Sequence, residues 1–236
     1  LFTYKKEGLA NFSDQVNITA NFKESTLKIL DLKKFYKELS GDDVVSFSGR
    51  MRGKLNDFNL KELKLATKDG LLLNGDLFFK NVINTERGVV FNGDLNNLTA
   101  TYKELKALLP NLLGEILPSE FDKLGQFKIT GNIQVTPLKV NASVVVKSQI
   151  GTAISDLKIN NIDDIDTASY SGDVQLINFN IGSFFNKPIF GKLSLNGIVN
   201  GSGFKLENVN TKFIGNISEL NFKGYSYQNI VANGQY

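Results

Sequence analysis

The stretch Phe127-Lys128-Ile129-Thr130-Gly131-Asn132-Ile133-Gln134-Val135 decides how the rest of the chain reads. Phe127, Ile129, Ile133 and Val135 fall on one side of a period of two. Lys128, Thr130, Asn132 and Gln134 fall on the other. That alternation is the mark of a strand with one face turned to a core. Gly131 is in phase with the apolar set and takes a slot where a core side chain belongs. Glycine inside a strand costs roughly 0.5–1 kcal/mol relative to alanine.

The same grouping of apolar, any, Gly, any, apolar recurs along the chain. It appears at Phe47–Met51, Leu73–Leu77, Phe91–Leu95, Ile129–Ile133, Tyr170–Val174, Leu195–Val199 and Phe213–Ile217. The glycines are Gly49, Gly75, Gly93, Gly131, Gly172, Gly197 and Gly215, with a weaker eighth at Gly234. Their spacings are 26, 18, 38, 41, 25 and 18 residues. With the two long intervals taken as doublings, the unit is about twenty residues, the length of a β-hairpin.

Other segments agree. Val140, Ala142, Val144 and Val146 share a face against Lys139, Asn141, Ser143 and Lys147, and Leu71, Leu73, Leu77 and Phe79 repeat the arrangement. The phase slips by one residue in Asp173–Ile181 and in Phe58–Leu65, as a β-bulge requires. Asp69-Gly70, Gly201-Ser202-Gly203 and Asn233-Gly234 read as tight turns. Helix is scarce. Leu105, Leu108, Leu109, Leu112, Leu113 and Ile116 mark a helix from Tyr102 to about Ile116, with a break expected at Pro110. A further helical turn is expected at Ser119–Leu124, and weaker ones at Asp31–Leu39 and Gly182–Asn186. No shift of composition marks a boundary. The chain therefore reads as one continuous domain, 1–236, with a helical insertion about 102–124.

The recurring glycines have two geometrical explanations. Missing side chains at matching heights let a sheet bend along a line. They also leave space for something to lie close to the backbone. A long antiparallel sheet folded lengthwise in this way becomes a trough with apolar walls. The alternatives are a closed β-barrel or sandwich relieved of crowding, or plain hairpin turns at Asn74-Gly75, Asn92-Gly93 and Asn196-Gly197. The helix after Tyr102 either caps or plugs the sheet, or presents Leu112, Leu113 and Ile116 to lipid or a partner.

Composition removes whole classes of chemistry. The 236 residues contain no Cys, His or Trp. That excludes zinc sites built on thiolate or imidazole, haem and iron–sulfur ligation, Ser-His-Asp triads and Cys nucleophiles. Lys+Arg (27) and Asp+Glu (24) nearly balance, so there is no basic footprint for nucleic acid. The longest apolar runs are far short of the ~18–20 residues that span a bilayer. The chain opens at Leu1 without a signal-peptide core, so it reads as a segment of something longer. Asp163, Asp164 and Asp166 offer oxygens to calcium but lack EF-hand spacing and suit a solvated turn. Glu115, Glu120 and Asp122 suit a solvated helix face. Gly201-Ser202-Gly203 is only a fragment of a dinucleotide fingerprint. No catalytic residues, metal ligands or cofactor are expected.

Several stretches resemble the TamB family of the AsmA-like superfamily, in its Bacteroidetes-type form. They are Asp42-Asp43-Val44-Val45-Ser46-Phe47-Ser48-Gly49, Leu105–Gly114, Leu124-Gly125-Gln126-Phe127-Lys128-Ile129-Thr130-Gly131, and Ser155–Ile165. The resemblance runs from about Ser25 onward. It implies a β-taco, a curled sheet with a lengthwise hydrophobic groove. It also implies a periplasmic location, in a protein anchored to the inner membrane by a part not present here. The family is implicated in moving phospholipid between inner and outer membrane, and in outer-membrane protein assembly with a TamA-type barrel partner.

The expected function is thus a passive groove for phospholipid acyl chains. Its expected wall is Phe47, Met51, Leu73, Leu77, Phe91, Phe127, Ile129, Ile133, Val140, Val144, Leu195 and Phe213. Acyl chains would lie on this wall while head groups stay solvated at the mouth. The competing expectation is an assembly scaffold whose open edges pair with a client strand. A carbohydrate-active β enzyme would need convergent carboxylates, which the sequence does not offer.

Overall fold

The computed structural model of the chain describes residues 1–3, 11–34, 36, 39, 44–108, 119–164, 166–203 and 208–235. Thirteen strands form one sheet in sequential order. They are β1 (Phe2–Thr3), β2 (Asn17–Lys28), β3 (Val44–Gly53), β4 (Asp57–Thr67), β5 (Leu72–Lys80), β6 (Val90–Ala100), β7 (Phe127–Val135), β8 (Lys139–Ser148), β9 (Gly151–Asn160), β10 (Ser169–Asn180), β11 (Phe190–Ser202), β12 (Asn210–Phe222) and β13 (Tyr225–Gln235). The pairing is antiparallel and the sheet stays open, with β1 and β13 as its edges. A curled single sheet therefore replaces the closed barrel or sandwich. The chain divides into two compact units. Unit 1 is Leu1–Glu115 with Asn132–Pro137, and unit 2 is Ile116–Gly131 with Leu138–Tyr236.

Both expected phase slips are bulges. Between Leu60 and Leu63 the register of β4 shifts against β5, and between Leu176 and Phe179 that of β10 shifts against β11. Similar shifts occur in β2 between Phe22 and Ser25, in β6 beside Asn97, and in β12 beside Ile217. In these the extra residue sits on an even-numbered strand, while a further shift between Phe190 and Leu193 puts it on β11. A bulge bends its strand and adds right-handed twist. Repeating it on alternate strands curls a sheet in one sense.

Helical segments occur at or near each expected place among the described residues. A helix spans Tyr102–Leu108. Thr101 and Glu104 close it as a capping box: Thr101 N–H donates to Glu104 Oε2 at 2.5 Å, and Glu104 N–H donates to Thr101 Oγ1 at 3.3 Å. The expected continuation through Leu109, Pro110, Leu112, Leu113 and Ile116 lies outside the described residues, as does Glu115. Ser119–Leu124 is a 3₁₀ turn. The Asp31–Leu39 helix is displaced to Ile29–Leu32, and the one at Gly182–Asn186 to Ile181–Phe184.

The turns depart in part from expectation. Asp69-Gly70 does close a turn, with Thr67 N–H donating to Leu71 O at 3.0 Å. Asn233-Gly234 instead lies inside β13, and Gly201-Ser202 forms the end of β11. Asn74-Gly75, Asn92-Gly93 and Asn196-Gly197 are strand interiors, not hairpin turns. An Asn-Gly pair favours a turn only when the chain has no neighbour strand to continue along. Asn74-Gly75 and Asn196-Gly197 are paired with a strand on each side, and Asn92-Gly93 is paired with β5.

The core is thin. Among the described residues of unit 1, Val16, Ile18, Ile29, Val45, Phe58, Leu63, Leu71, Leu77, Leu95 and Ala100 are buried apolar residues. In unit 2 they are Leu124, Phe127, Ala168 and Phe179. The rest of the apolar face is half-buried.

Candidate functional site: the apolar face of the curled sheet

Cross-strand register sorts the apolar residues of unit 2 into rows. One row is Ala142, Leu157, Gly172, Val199, Phe213 and Gly234. The next is Val144, Ser155, Val174, Gly197, Gly215 and Ala232, and the one beyond is Val146, Ala153, Leu176, Leu195, Ile217 and Ile230. The middle row is made of small side chains, while its two neighbours carry most of the Leu, Phe and Ile. Residues between these positions are mostly polar and exposed, such as Asn141, Ser143, Asp156, Lys158 and Asp173, but Val145, Ile154, Ile198, Ile214 and Val231 stand among them. The two faces of the sheet thus differ in degree, and the more apolar one has a low centre line.

Unit 1 follows the same plan with heavier walls. Phe58, Phe79 and Phe91 form an aromatic ladder, with ring centroids 5.1 and 5.2 Å apart. Met51, Leu60, Leu77 and Gly93 make the next row, and Phe47, Leu65, Leu73 and Leu98 make another. Between these two rows lie Phe22, Gly49, Leu63, Gly75 and Leu95. Gly49 and Gly75 share that row, Gly197 and Gly215 face each other directly, and Gly93 and Gly172 stand one row off.

The glycines serve the bend and do not open space. Gly172 has φ +145°, and a Cβ there would run into the Asp156 carbonyl, with Leu157 Cα at 3.1 Å. A Cβ on Gly215 would lie 2.6 Å from Gly197 Cα. At Gly49, Gly75, Gly131, Gly172, Gly197 and Gly215 the neighbouring strand's backbone stands where a side chain would begin, at Gly93 the Phe91 and Leu77 side chains do, and at Gly234 nothing lies within 4 Å. Of the two explanations drawn from sequence, the bend is the one the structure supports. At most of these positions the adjacent strand, and not empty space, stands where a Cβ would be.

All twelve expected wall residues lie on β-strands. Phe47, Met51, Leu73, Leu77, Phe91 and Ile133 belong to unit 1, and Phe127, Ile129, Val140, Val144, Leu195 and Phe213 to unit 2. Leu77 and Phe127 are buried, at 7% and 3% exposure, so protein covers them. The other ten are half-buried. Sequence reading missed Phe58, Phe79, Leu65, Leu157, Leu176, Leu193 and Ile217. Phe79 is on the apolar face in the sequence pattern but outside the expected wall, Phe58 and Leu65 lie either side of the β4 bulge, and Leu157 lies on a strand with no glycine motif to mark it.

On the polar face the bulges are closed by side chains from the next strand. Glu62 has φ +54°, and its N–H donates to Asp76 Oδ1 at 2.8 Å. Lys61 Nζ donates to Asp76 Oδ2, also at 2.8 Å. The Lys61 ammonium, and then the Glu62 N–H, hold the Asp76 carboxyl below its usual range. Arg50 pairs with Glu62 across the same bulge. In unit 2, Asn178 has φ +49° and its N–H donates to Ser194 Oγ at 2.9 Å. An open cavity of about 160 Å³ of mixed lining lies beside the first of these, with Asn59, Lys61, Asp76, Leu77, Phe78 and Ile133 among its walls.

The acidic candidates have local work. Asp164 Oδ1 accepts Asp166 N–H at 3.0 Å, and Oδ2 accepts the Thr167 hydroxyl at 2.9 Å. Asn208 Nδ2 donates to Asp166 Oδ1 at 2.9 Å. Glu120 and Asp122 sit on the 3₁₀ turn. No group of three metal-ligating side chains occurs among the described residues, and no helix there is long and apolar enough to cross a membrane. No protein-family description, no curated protein and no solved structure matches this chain.

Proposed function

We propose that the apolar face of the sheet is a passive surface for phospholipid acyl chains, in a periplasmic segment that carries lipid between inner and outer membrane. The observation that carries this reading is the half-covered apolar face of unit 2, continuous from β8 to β13 in the three rows described above. A sheet whose apolar side chains are neither sealed in a core nor polar has a hydrophobic demand that an apolar ligand meets. Each acyl CH₂ taken from water gains about 0.8 kcal/mol. The attraction is non-directional, so a chain slides along a uniform wall without a large barrier. No group on the face is placed to do covalent chemistry, and the reading is non-enzymatic.

Two measurements test it. The purified chain is extracted and its lipids identified by mass spectrometry. Photo-probes at Ile129 and Val144 are compared in cells with probes at Lys128 and Ser143 on the polar face. Lipid adducts at the first pair alone are expected. Equal labelling at both pairs, with no co-purified lipid, sinks the reading.

A second reading, the assembly scaffold, draws on β13. This edge strand carries no proline and no charged residue, and Val231 is 83% exposed. Edges are ordinarily blunted by such residues, and a strand of this composition suits further pairing, whether with more of its own chain or with a client strand. A probe at Val231 that crosslinks to an outer-membrane barrel protein is the expected result under this reading.

A further inference from the structure

At one end of unit 2 the loop from β10 to β11 and the turn from β12 to β13 are joined. Lys223 N–H donates to Ile189 O at 2.8 Å, and Lys187 N–H donates to Gly182 O at 2.8 Å. Phe190 and Phe222 stack beneath them with centroids 5.1 Å apart. Phe184 anchors the loop edge-on to Phe179 at 5.5 Å and to Phe121 at 6.2 Å. Above this aromatic base three large side chains turn outward: Phe185 is 54% exposed, Ile189 48% and Tyr225 71%. Phe185 is held against Phe184 at 5.0 Å, nearly perpendicular, so its exposure is that of a fixed ring.

The two connecting segments that carry these side chains hold charges of one sign only. Residues 181–192 and 222–227 contain Lys187, Lys192 and Lys223 and no Asp or Glu. The Lys223 ammonium lies 5.4 Å from the Phe222 ring. The acids on elements reaching this end are Glu120 and Asp122 on the 3₁₀ turn, and Glu219 on β12, whose Oε1 accepts from Asn221. A protein surface does not ordinarily group exposed Phe, Ile and Tyr without a partner. Aromatic and aliphatic tips among lysines fit an interface where apolar groups enter and anionic head groups surround them.

We propose that this end of unit 2 docks on an anionic phospholipid surface, with Phe185, Ile189 and Tyr225 entering the interface and Lys187 and Lys223 meeting head-group phosphates. The occupant is a bilayer surface, which differs from a single acyl chain lying on the apolar face. The proposal stands without the groove reading, and the two can fail separately: lipid extraction reports the apolar face, and vesicle binding reports this end.

The test uses the whole 236-residue chain and vesicles of phosphatidylcholine with or without phosphatidylglycerol. Co-sedimentation with the anionic vesicles, weakening as salt rises, is expected. Phe185→Ser with Ile189→Ser should lower the partition at least about tenfold. Lys187→Gln with Lys223→Gln should lower it by roughly fivefold per lysine and flatten the salt dependence. The chain has no tryptophan, so Phe185→Trp gives a single reporter that keeps an apolar ring in place. Its emission should shift to the blue on adding anionic vesicles. Binding that ignores vesicle charge, or an indole emission from the Phe185→Trp variant that does not move while the chain is folded, overturns the proposal. Capture by protein with no vesicle binding overturns it as well.

Discussion

Asn56 donates from Nδ2 to Asp14 Oδ1 at 2.8 Å, and its own Oδ1 accepts Ile83 N–H at 2.9 Å and Asn84 N–H at 3.1 Å. Asn84 Nδ2 donates in turn to Asp14 Oδ2 at 2.8 Å. Asn56 is 1% exposed. One amide thus ties the helix at Phe12–Gln15, the β3–β4 connection and the β5–β6 connection into a closed network. Asn56→Ala leaves two N–H groups and a carboxylate without that partner, at about 1–3 kcal/mol for each buried polar group so stranded. Melting followed by circular dichroism should show a fall of roughly 5–12 °C. A shift under about 2 °C would mean that water replaces the amide.

Asp76 closes the β4 bulge from the polar face. Its folded pKa lies below the ordinary value of 3.8, through Lys61 first and the Glu62 N–H second. A depressed carboxyl stabilises the fold above its unfolded pKa and loses that contribution as pH falls through the folded value. The side chain is well exposed, so the ion pair itself is worth only about 0–1 kcal/mol. Asp76→Asn keeps an acceptor for Glu62 but loses the charge. The melting difference between wild type and variant should be small and constant from about pH 8 down to about 5, and should shrink below 3.8. A difference that grows on acidification contradicts the assignment.

The glycines can be ranked by what stands at the missing Cβ. Gly172→Ala places a methyl into the Asp156 carbonyl at φ +145°. A cost of about 2–4 kcal/mol is expected, since strain and steric overlap combine. Gly234 shares its row but has nothing within 4 Å of its Cβ direction. Gly234→Ala should be neutral within about 0.5 kcal/mol. Urea midpoints of the two variants decide whether the bend depends on backbone contact or on glycine content alone.

Much of this architecture was legible because a period of two survives any curvature. Phe127 to Val135 shows which residues face the apolar side, and the slip between Val174 and Phe179 shows that a residue is extra. Curling was legible too, through Gly49 and Gly75 in phase with Phe47 and Leu77. What fills the glycine space was not, because it is the backbone of a strand distant in sequence, as Asp156 is for Gly172. The Asn-Gly pairs misled because turn propensity is local, whereas Asn196-Gly197 is held by two flanking strands. Thr101-x-x-Glu104 was a readable capping box that the apolar spacing after Tyr102 obscured. Phe185 and Ile189 gave no warning, since exposure of a loop side chain depends on what packs over it.

Tyr36 carries a second pH signature, of opposite sign. Its hydroxyl donates to Leu55 O at 3.1 Å and its ring lies 6.1 Å from Phe58. Burial pushes its pKa from 10.0 up to about 12. A raised pKa contributes stability that is complete below the unfolded value and is lost as pH rises through the folded one. The wild type should therefore lose stability between pH 10 and about 12 in excess of Tyr36→Phe. At about pH 8 the variant should be about 1 kcal/mol less stable, from the lost hydrogen bond. The two melting curves should converge and then cross as pH rises, and parallel curves would remove Tyr36 as the cause.

Val174 and Gln175 are neighbours in β10 that face opposite sides, and this makes them a matched pair for the lipid reading. Val174 stands in the row of small residues between Ser155 and Gly197, where a new side chain meets little bulk. Val174 is half-buried, so a carboxylate there keeps water while standing in the middle of the apolar face. Val174→Asp should lower co-purified phospholipid about tenfold, because an acyl chain crossing that point must desolvate a charge or stand away from the wall. Gln175→Asp adds the same charge on the exposed polar face and should leave the lipid yield unchanged. The comparison holds net charge and strand position constant, so only the face differs. Equal yields from both variants, each folded, would show that the apolar face is not where the lipid lies.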